Sequence, residues 1–473
     1  MGDDWVPALV GGGLTRVHGP TYIGVRRNPS SNLSQFAQLY LRPLTLSLDG
    51  ATRIGLLSPH ERGDLRYPTQ PLSRTLMDDP KRTRWRQIVY EAFGLYPGID
   101  ATDGNRLSVR FGNRVPPRER TLEQDIIDWL REARGLEDVS DGVKAFSGIL
   151  LQLYAGDPRI IVVDEPEAFL HPSLARTLGR ELASAARSEQ KYVFAATHSA
   201  DFVMGAIQSG AIVNIIRLTW SNEVATARLL PSAELVLLMN DPMLRSVGVL
   251  SGLFFQNVVV TEADADRAFY HEINERLSAA RDPRAIPHPL FLNADNHQTI
   301  PAIVAPLRKL GIPAAGIADL DVIKRGGNEW TRQLDACGMP RAQQFSNQNL
   351  RDAVLKALLA AAPAGTLKPD DYFKTAGGLD ILQGSSDRHA AANFCDELDR
   401  HGLFLVRPGE VEAWLKHLGV PKKSHGWRSN IFAAMGNDPS QSAYVNPAPG
   451  DVWDFIGSIN TWLSDPGRRG IPD

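Results

Sequence analysis

Two acidic residues follow a short apolar run near the middle of the chain. Residues 160–163 are Ile-Ile-Val-Val, and Asp164 and Glu165 come directly after them. A β-branched run bounded by polar residues is typical of a buried parallel strand, and open α/β sheets bind ligands at the C-terminal ends of such strands. One carboxylate at that place can hold Mg²⁺ on a nucleotide phosphate, and the next can deprotonate an attacking water. A solvated acidic turn after a buried strand is the alternative.

The elements after this strand are predicted to bring a histidine to the same place. Residues 172–188 carry leucines at four-residue spacing, which is typical of an amphipathic helix. Residues 192–197 then form a second strand, and His198 follows it. A strand, a helix and a strand joined by one crossover make a βαβ unit. We therefore expect His198 to lie near Asp164 and Glu165 and to contact phosphate.

A second set of carboxylates follows two later strands. Residues 258–261 form an apolar strand that ends in Glu262, and residues 314–318 form another that ends in Asp319-Leu320-Asp321. With a helix, a strand and a helix between them, the three acids are predicted to converge at one sheet edge. Carboxylates at such short distances repel one another unless a cation neutralises them. Oxygen ligands suit Mg²⁺ or Mn²⁺, which can bind a phosphodiester for cleavage. Three separate solvated acids are the alternative.

The phosphate loop that a nucleotide-binding domain needs, G-x-x-x-x-G-K-[ST], is not found in the sequence. Gly19 and Gly24 have the glycine spacing, but Val25 and Arg26 stand at the lysine and hydroxyl positions. Three explanations stay open. The chain begins downstream of the true loop, or the loop is degenerate and hydrolysis is lost, or a basic residue such as Arg26 or Arg27 replaces the lysine.

The first acidic motif resembles a known ATPase signature. V-V-D-E-P-E-A-F-L-H-P followed by A-T-H-S is similar to the Walker B and switch-histidine pair of ABC-type ATPases, and more closely to the AAA-like ATPases of the OLD (overcoming lysogenisation defect) family. The S-D-G-V-K stretch at 140–144 resembles that family's signature loop. The resemblance implies that Asp164 helps to hold Mg²⁺, that Glu165 is the general base, and that His198 senses the γ-phosphate. It also implies that the signature residues bind ATP, with the first and third reaching the nucleotide of a partner subunit; these residues are Ser140, Asp141, Gly142 and Lys144.

The second acidic set resembles the TOPRIM domain of topoisomerases, primases and OLD-family nucleases. An ATPase head joined to a TOPRIM domain is the OLD layout, so the resemblance covers nearly the whole chain. It implies that Glu262, Asp319 and Asp321 are metal ligands and that Asp266 supports them. A later acid of the family matches Glu412 better than Glu410.

Two features of the TOPRIM pattern are less well defined. Ala263 stands where the family has glycine. The family's late lysine is not assignable among Lys416, Lys422 and Lys423, and His297 and Gln298 follow the second strand near the predicted site.

Composition limits the class of protein. The 473 residues are 43% hydrophobic and 22% charged, which indicates a folded protein rather than a disordered one. A net charge of −3 gives no global basic field for nucleic acid, although a local patch is compatible with it. Two cysteines without metal spacing suit a reducing cytoplasm. No run reaches the ~20 apolar residues of a membrane helix, so no membrane partner is expected.

The predicted fold class is α/β. Residues 1–245 form an ABC-type P-loop NTPase-like head, residues 256–425 a Rossmann-like TOPRIM domain, and residues 426–473 a small helical cap. Within the head, residues 30–115 form an antiparallel β-lobe crossed by a helix over 82–93. The lobe includes a hairpin that turns at Asp49-Gly50. The arginines on its helix, Arg82, Arg84 and Arg86, are expected to form a solvated face, with contact to phosphate or DNA as the alternative.

The leading functional hypothesis is an OLD-like, ATP-binding, metal-dependent DNA endonuclease that acts in phage defence or DNA repair. The resemblance implies a homodimer or a larger homo-oligomer, with the need for a partner protein left open. A nucleotide-dependent regulator or scaffold with a non-cleaving TOPRIM domain is the alternative, and a plain ATPase is a third.

Overall fold

The computed structural model describes residues 5–10, 13–18, 30, 33–121, 123–221, 223–230, 232–364, 366, 368–382, 386–422 and 426–468. They form two compact units, Met1–Val213 and Asn214–Asp473. The glycine-rich stretch Gly19–Gly24, with Arg26 and Arg27, lies outside the described residues, as does Lys423.

The first unit alternates strands and helices along most of its length. Its strands are β1 (Trp5–Val10), β2 (Gly13–His18), β3 (Thr45–Leu48), β4 (His60–Glu61), β5 (Tyr96–Asp100), β6 (Arg106–Gly112), β7 (Ile160–Asp164) and β8 (Tyr192–Ala196). Its helices are α1 (Leu33–Phe36), α2 (Gly50–Ile54), α3 (Pro71–Met77), α4 (Asp79–Phe93), α5 (Gln124–Glu132), α6 (Asp141–Ala155), α7 (Pro172–Ser188) and α8 (Ala200–Gln208).

Three small sheets make up the strand framework of this unit. Strands β3, β7 and β8 form a parallel sheet in the order β3-β7-β8, and β4, β6 and β5 form an antiparallel one in the order β4-β6-β5. Strands β1 and β2 pair as a separate hairpin. The predicted βαβ unit around the first acidic motif is present, because β7 and β8 are parallel and α7 connects them.

Among the described residues, only one face of the β3-β7-β8 sheet is covered. Ile161 and Val163 are fully buried in the core of the unit together with Leu178 and Leu182 of α7. Val162 points the other way and is 40% exposed. The prediction that β7 is a buried strand is therefore correct for one face and wrong for the other.

The predicted hairpin at Asp49-Gly50 is wrong. The Asp49 carboxylate accepts hydrogen bonds from the backbone N–H of Ala51 (3.1 Å) and Thr52 (2.8 Å), and the Thr52 hydroxyl accepts one from the Asp49 N–H. This reciprocal capping box starts α2 in place of a hairpin turn. Strand β3 consequently pairs in parallel with β7, from Thr45 opposite Ile160 onward, and does not belong to the antiparallel lobe.

The predicted arginine face of α4 is also wrong in part. The buried carboxylate of Glu119 forms ion pairs with Arg82 at 3.0 Å and with Arg86, and the side chains of both arginines are only 11% exposed. Arg84 pairs with Glu181 at 2.8 Å. These guanidinium groups therefore hold α4 against its neighbours and are not a free solvated face.

The second unit begins with an antiparallel hairpin and continues as an α/β layer. Its strands are β9 (Ile215–Ser221), β10 (Val224–Leu230), β11 (Asn257–Thr261), β12 (Pro289–Asn293), β13 (Ala314–Asp319) and β14 (Leu403–Val406). Its helices are α9 (Ser232–Asn240), α10 (Pro242–Val247), α11 (Asp264–Ala279), α12 (Ile300–Lys309), α13 (Gly327–Ala336), α14 (Arg341–Ala360), α15 (Pro369–Ala376), α16 (Ser386–Arg400), α17 (Trp427–Met435) and α18 (Asp451–Leu463).

The sheet of the second unit is entirely parallel, with the order β12-β11-β13-β14. Residues 258–260 of β11 are fully buried, as a central parallel strand requires. Helices α17 and α18 share one hydrophobic core with α11 and the sheet, to which they contribute the buried Trp427, Trp453 and Trp462. The predicted terminal helices exist, and their tryptophans serve packing.

Within the part of the chain that the structure describes, every helix is too short or too polar to cross a lipid bilayer.

The corrected role of Asp49 gives a direct test. Asp49→Ala removes the N-cap of α2, and we expect it to lower the free energy of unfolding, because the backbone N–H groups of Ala51 and Thr52 lose their acceptor. Gly50→Ala should be neutral or slightly stabilising, because Gly50 is the first residue of a helix and a Cβ there would meet only Arg53, at 3.8 Å. Urea denaturation of both variants checks this. A larger loss of stability for Gly50→Ala than for Asp49→Ala would contradict the helix N-cap and support a hairpin turn at Asp49-Gly50.

Candidate functional sites

The first acidic edge lies where β7 and β8 end side by side. Asp164 closes β7 opposite Ala196, and the Glu165 N–H donates to the Ala196 carbonyl at 2.8 Å. The Glu165 carbonyl accepts a hydrogen bond from the guanidinium of Arg53, which is 2% exposed. Glu165 has a left-handed backbone with φ of +46°. Its strained turn is thus held in place from both sides.

The structure brings His198 to this edge. Its Nδ1 lies 3.5 Å from Glu165 Oε1 and 3.4 Å from Glu167 Oε1. The imidazole is exposed, and so is about half of the Glu165 carboxylate. Asp164, Glu165 and His198 therefore face solvent together, as a site for a bound phosphate requires.

Glu167 is a residue of this edge to which the sequence analysis gave no role. It is 7% exposed, and its Oε1 accepts hydrogen bonds from the Thr197 hydroxyl (2.7 Å) and the His198 N–H (3.1 Å). Glu167 thereby fixes the end of β8 to the turn after β7 and positions His198. The available signal was the second glutamate of the D-E-P-E motif.

The S-D-G-V-K stretch forms the N-terminus of α6. Ser140 is the N-cap, with Val143 N–H 3.5 Å from its hydroxyl, and Lys144 pairs with Asp141 at 3.0 Å. Gly142 packs so closely on the turn after Glu165 that an added Cβ would lie 2.7 Å from the Phe169 carbonyl oxygen. The start of α6 therefore contacts the turn of the first acidic edge. Binding of a partner's nucleotide by these residues remains a prediction.

The second acidic edge combines residues that lie far apart in the chain. Glu262 follows β11, Asp319 ends β13 and Asp321 is in the turn after it. One carboxylate oxygen from each lies within 4.8 Å of the others. The Glu262 carboxylate also accepts a hydrogen bond from the Asp319 N–H at 3.3 Å. The structure thus brings together the three acids that were predicted as metal ligands.

Lys374 of α15 occupies the centre of this edge. Its Nζ lies 2.7 Å from Asp319 Oδ2 and 3.4 Å from Asp321 Oδ1. Lys324 Nζ is 3.7 Å from the other oxygen of Asp321. Two of the candidates from the sequence do not occupy this position: Lys416 is exposed, and Lys422 pairs with Glu410 at 3.6 Å. Lys374 sits on a short helix far from any strand motif, so no sequence pattern marked it.

Gly409 fixes the position of Lys374. It follows β14 with φ of +114°, a conformation in which other residues are strained, and an added Cβ would lie 2.1 Å from the Lys374 carbonyl oxygen. The Gly409 carbonyl accepts a hydrogen bond from the Leu320 N–H at 3.0 Å, within the D-L-D turn. One glycine therefore joins the lysine to the two aspartates.

Burial and mutual repulsion dominate the electrostatics of this edge. Burial raises the pKa of Asp319 well above its ordinary value, against the opposing charge of Lys374. Burial also acts to raise the pKa of Glu262, but hydrogen bonds from His297 and the Asp319 amide and the charge of Lys374 leave that pKa below its ordinary value. Glu262 therefore ionises before Asp319.

The supporting acids lie beside the group of three. Burial, with the charges of Glu262 and Glu412, raises the pKa of Asp266 to about 7. The Asp266 carboxylate accepts the Ala263 N–H at 3.1 Å and so holds the turn that presents Glu262. Glu412 is half-buried near Asp266, whereas Glu410 is buried against Lys422. Direct metal ligation by Asp266 or Glu412 remains a prediction.

His297 and Gln298 both line a small pocket beside the second acidic edge. His297 Nδ1 is 3.5 Å from Glu262 Oε1, and Gln298 donates to Glu329 at 3.2 Å. Of the two, only His297 contacts the group of three acids.

Comparisons with known proteins agree with the geometry of the first edge. Residues 69–205 match the family model described as "AAA domain, putative AbiEii toxin, Type IV TA system". This region contains α4, the signature helix α6, both strands of the first acidic edge, and His198. The chain therefore carries an AAA-like ATPase domain, the class of domain that binds nucleotides.

Curated relatives match a similar length of chain. A protein of Brucella abortus biovar 1 (strain 9-941) named "Putative ATP-binding protein" is 29% identical over 123 residues, which cover 24% of this chain and 46% of the relative. A protein of the same description from Brucella suis biovar 1 (strain 1330) is 28% identical over an equal length. The matched region spans about half of these relatives.

Glu167 gives the first prediction from these sites. Glu167→Ala leaves the Thr197 hydroxyl and the His198 N–H without their buried acceptor, and we expect a loss of roughly 1–3 kcal/mol in the free energy of unfolding. Glu123→Ala, at an exposed position whose side chain caps no helix, is the matched control and should be near neutral. Chemical denaturation of the two variants measures the difference. Equal stabilities would show that Glu167 does not hold the end of β8.

Asp266 gives a prediction on pH. Its pKa of about 7 in the folded protein exceeds the value of about 3.9 in an unfolded chain, so the folded state holds the proton more tightly. Below about pH 4, Asp266 therefore does not lower the free energy of unfolding. Its destabilising effect grows as the pH rises to the pKa of Asp266 in the folded protein. Asp266→Asn should raise the free energy of unfolding by on the order of 1–3 kcal/mol near pH 8 and not near pH 4. Denaturation in EDTA measures this, and a gain independent of pH would contradict it.

Proposed function

We propose that this protein is a metal-dependent nuclease that cleaves DNA phosphodiester bonds at the second acidic edge, with its AAA-like domain controlling access or assembly through a bound nucleotide. One observation carries the proposal: the convergence of Glu262, Asp319 and Asp321 at the C-terminal edge of a parallel sheet, with Lys374 beside them. The resemblance to TOPRIM domains supports the same chemistry.

The donor set of this edge fits a divalent cation. All three groups are carboxylates, the ligands that Mg²⁺ and Mn²⁺ prefer. Among the described residues, Asp321 Oδ1 is buried without a hydrogen-bond partner, so it has capacity for a ligand. Two ionised aspartates with a glutamate so close need more positive charge than Lys374 supplies. A cation held by these residues would polarise the phosphodiester and stabilise charge on its oxygens.

The residues around the three acids prepare the edge for a phosphate. Lys374 keeps its charge, because burial acts to lower its pKa but the adjacent carboxyl groups of Asp319 and Asp321 raise that pKa further than burial lowers it. With a cation on the aspartates, the ammonium is free to contact a phosphate oxygen. Asp266 holds Glu262 in place through the Ala263 turn, and His297 contacts it from the turn after β12.

The first acidic edge would serve ATP rather than DNA. Asp164 would hold Mg²⁺ on the nucleotide, Glu165 would orient or deprotonate the attacking water, and His198 would contact the γ-phosphate. Ser140 and Gly142 of one subunit would contact the nucleotide bound to another. The working form would therefore be a homodimer or a larger assembly. Phage defence or DNA repair is the proposed setting.

One observation favours a second function. The sequence contains no G-x-x-x-x-G-K-[ST] loop, so turnover of ATP by this chain lacks its usual lysine. A nucleotide-dependent regulator that binds DNA without cutting it would need neither turnover nor a metal.

Plasmid nicking and metal binding separate the two functions. We expect the protein to nick supercoiled plasmid with Mg²⁺ or Mn²⁺, and Mn²⁺ to raise its melting temperature in a thermal-shift assay. Glu262→Gln and Asp319→Asn should abolish both effects, because each removes a carboxylate from the ligand group. The matched control is Glu275→Gln. The Glu275 side chain is 59% exposed, and its ion pair with His271 is long, at 3.9 Å. Loss of nicking should be at least about 100-fold. Mn²⁺ that neither stabilises the protein nor supports nicking would favour the regulator.

A further inference from the structure

A lysine side chain bridges the two aspartates of the second acidic edge. Lys374 Nζ lies 2.7 Å from Asp319 Oδ2 and 3.4 Å from Asp321 Oδ1, and the lysine side chain is only 24% exposed. The same two aspartates are ligands of the proposed divalent cation. Two positive centres this close repel each other and compete for the same oxygen atoms. The ammonium and a divalent cation therefore cannot occupy this position together.

The ammonium satisfies the two aspartates unequally. Its distance to Asp319 is that of a charge-assisted hydrogen bond, whereas its distance to Asp321 is long. Among the described residues, Asp321 Oδ1 has no hydrogen-bond partner although it is buried. An ammonium has three N–H donors in fixed directions, but a hard divalent cation attracts several carboxylate oxygens at once. The edge thus suits a divalent cation better than it suits the lysine.

The backbone that carries Lys374 is fixed to the turn after β14. A Cβ added at Gly409 would overlap the Lys374 carbonyl oxygen, and one added at Gly378, just after α15, would overlap the Arg407 carbonyl oxygen. The Leu379 N–H donates to the Arg407 carbonyl at 2.9 Å. Because the backbone is packed so closely at both glycines, any movement of the ammonium falls to the flexible side chain of Lys374.

We propose that Lys374 is a displaceable internal cation, which leaves Asp319 and Asp321 when a divalent cation binds and then contacts a phosphate oxygen of the DNA strand. The inference rests on the proposed function of this edge. Without phosphate, the displaced ammonium loses its carboxylate partners, and this loss weakens metal binding. With phosphate, the ammonium gains a new anionic partner.

One side chain would thereby couple two ligands. Metal and DNA phosphate each make the binding of the other more favourable, because each removes part of the cost of moving the ammonium of Lys374. Such a coupling is reciprocal by thermodynamic necessity. It would favour metal loading of the DNA-bound protein over metal loading of the free protein.

Lys324 supplies a comparison within the same edge. Its Nζ lies 3.7 Å from Asp321 Oδ2, but it also pairs with Asp371 at 3.1 Å and lies 5.3 Å from the centre of the Phe373 ring. Those two partners remain when a metal binds Asp321. Lys324 therefore carries the same charge near the same acids without having to be displaced. Its removal reports the general electrostatic effect alone.

Mn²⁺ binding tests the displacement without reference to cleavage. Free Mn²⁺ is measured by electron paramagnetic resonance at pH 8, and the binding that Asp319→Asn removes is assigned to this edge. We expect Lys374→Met to bind this Mn²⁺ at least about tenfold more tightly than the unmodified chain, because no ammonium has to leave. Lys324→Met should gain less than about fivefold. A lysine that only shapes the site predicts the opposite sign for Lys374→Met.

Thymidine 5′-monophosphate tests the coupling, since it carries a phosphate but has no phosphodiester bond to cut. We expect it to raise the affinity of the unmodified chain for the Asp319-dependent Mn²⁺ by about fivefold or more. Lys374→Met should lose most of this gain, because the ammonium that links the two ligands is absent. Lys324→Met should keep the gain.

Acetylation of the unmodified chain follows the ammonium directly. N-hydroxysulfosuccinimide acetate labels accessible amines, and peptide mass spectrometry locates the label. We expect Mn²⁺ to increase the labelling rate of Lys374, because the released amine is exposed to the reagent. Lys356, an exposed residue of α14, should be labelled at the same rate with and without Mn²⁺. This measurement does not depend on the folding of any variant.

Three results would overturn the inference. They are a Lys374→Met chain, folded by circular dichroism, that binds Mn²⁺ no more tightly than the unmodified chain, an equal gain from thymidine 5′-monophosphate in both chains, and acetylation of Lys374 that Mn²⁺ leaves unchanged. Any of these beside Asp319-dependent Mn²⁺ binding and plasmid nicking would refute this inference alone. Displacement of Lys374 in a chain that does not nick plasmid would refute only the nuclease. Mn²⁺ binding that Asp319→Asn leaves unchanged would refute the metal site itself.

Discussion

Repulsion between carboxylates that parallel strands hold at one edge is the constraint on which the second unit depends. Glu262, Asp319 and Asp321 come from separate positions in the chain, and the β11–β13 pairing leaves them no room to move apart. Burial makes their ionisation costlier still, as the raised pKa of Asp319 shows. The fold meets this cost with Lys374 and with hydrogen bonds to Glu262.

In the first unit, acidic residues also lie at the C-terminal ends of parallel strands, but other interactions hold them in place. There the acids at the strand ends are exposed, and their arrangement depends on hydrogen bonds rather than on a central cation. Glu167 holds Thr197 and His198, and Arg53 holds the turn at Glu165. The second unit thus keeps its acids partly buried around a lysine, whereas the first leaves Asp164 and Glu165 exposed to solvent.

The strand motifs could be read from the sequence because their signal is local. Apolar runs that end in acids predicted β7, β11 and β13, and leucine spacing predicted the crossover helix over residues 172–188. The sequence could not reveal Lys374, since its role arises from where α15 packs. Nor could it show that Asp49 caps a helix, because D-G suits a turn and a helix start equally well. The outcome was decided by Thr52, three residues after Asp49, and by the pairing of β3 with β7.

Local sequence patterns also could not show which face of the first parallel sheet is packed. Ile160 to Val163 form the same apolar run whether one face or two are packed, so periodicity cannot distinguish the cases. Only the positions of α6 and α7 show which side chains are buried.

The backbone of Glu165 has a consequence for how this protein could evolve or be engineered. A left-handed conformation disfavours residues with a Cβ, so glycine or asparagine would suit this position better than glutamate does. A substitution that removes the carboxylate could therefore relieve backbone strain and yield a sturdier chain. Selection for stability alone would tend to replace Glu165, and screens for thermostable variants would enrich proteins that have lost this group. At Glu165, stability and the proposed role in catalysis are in conflict.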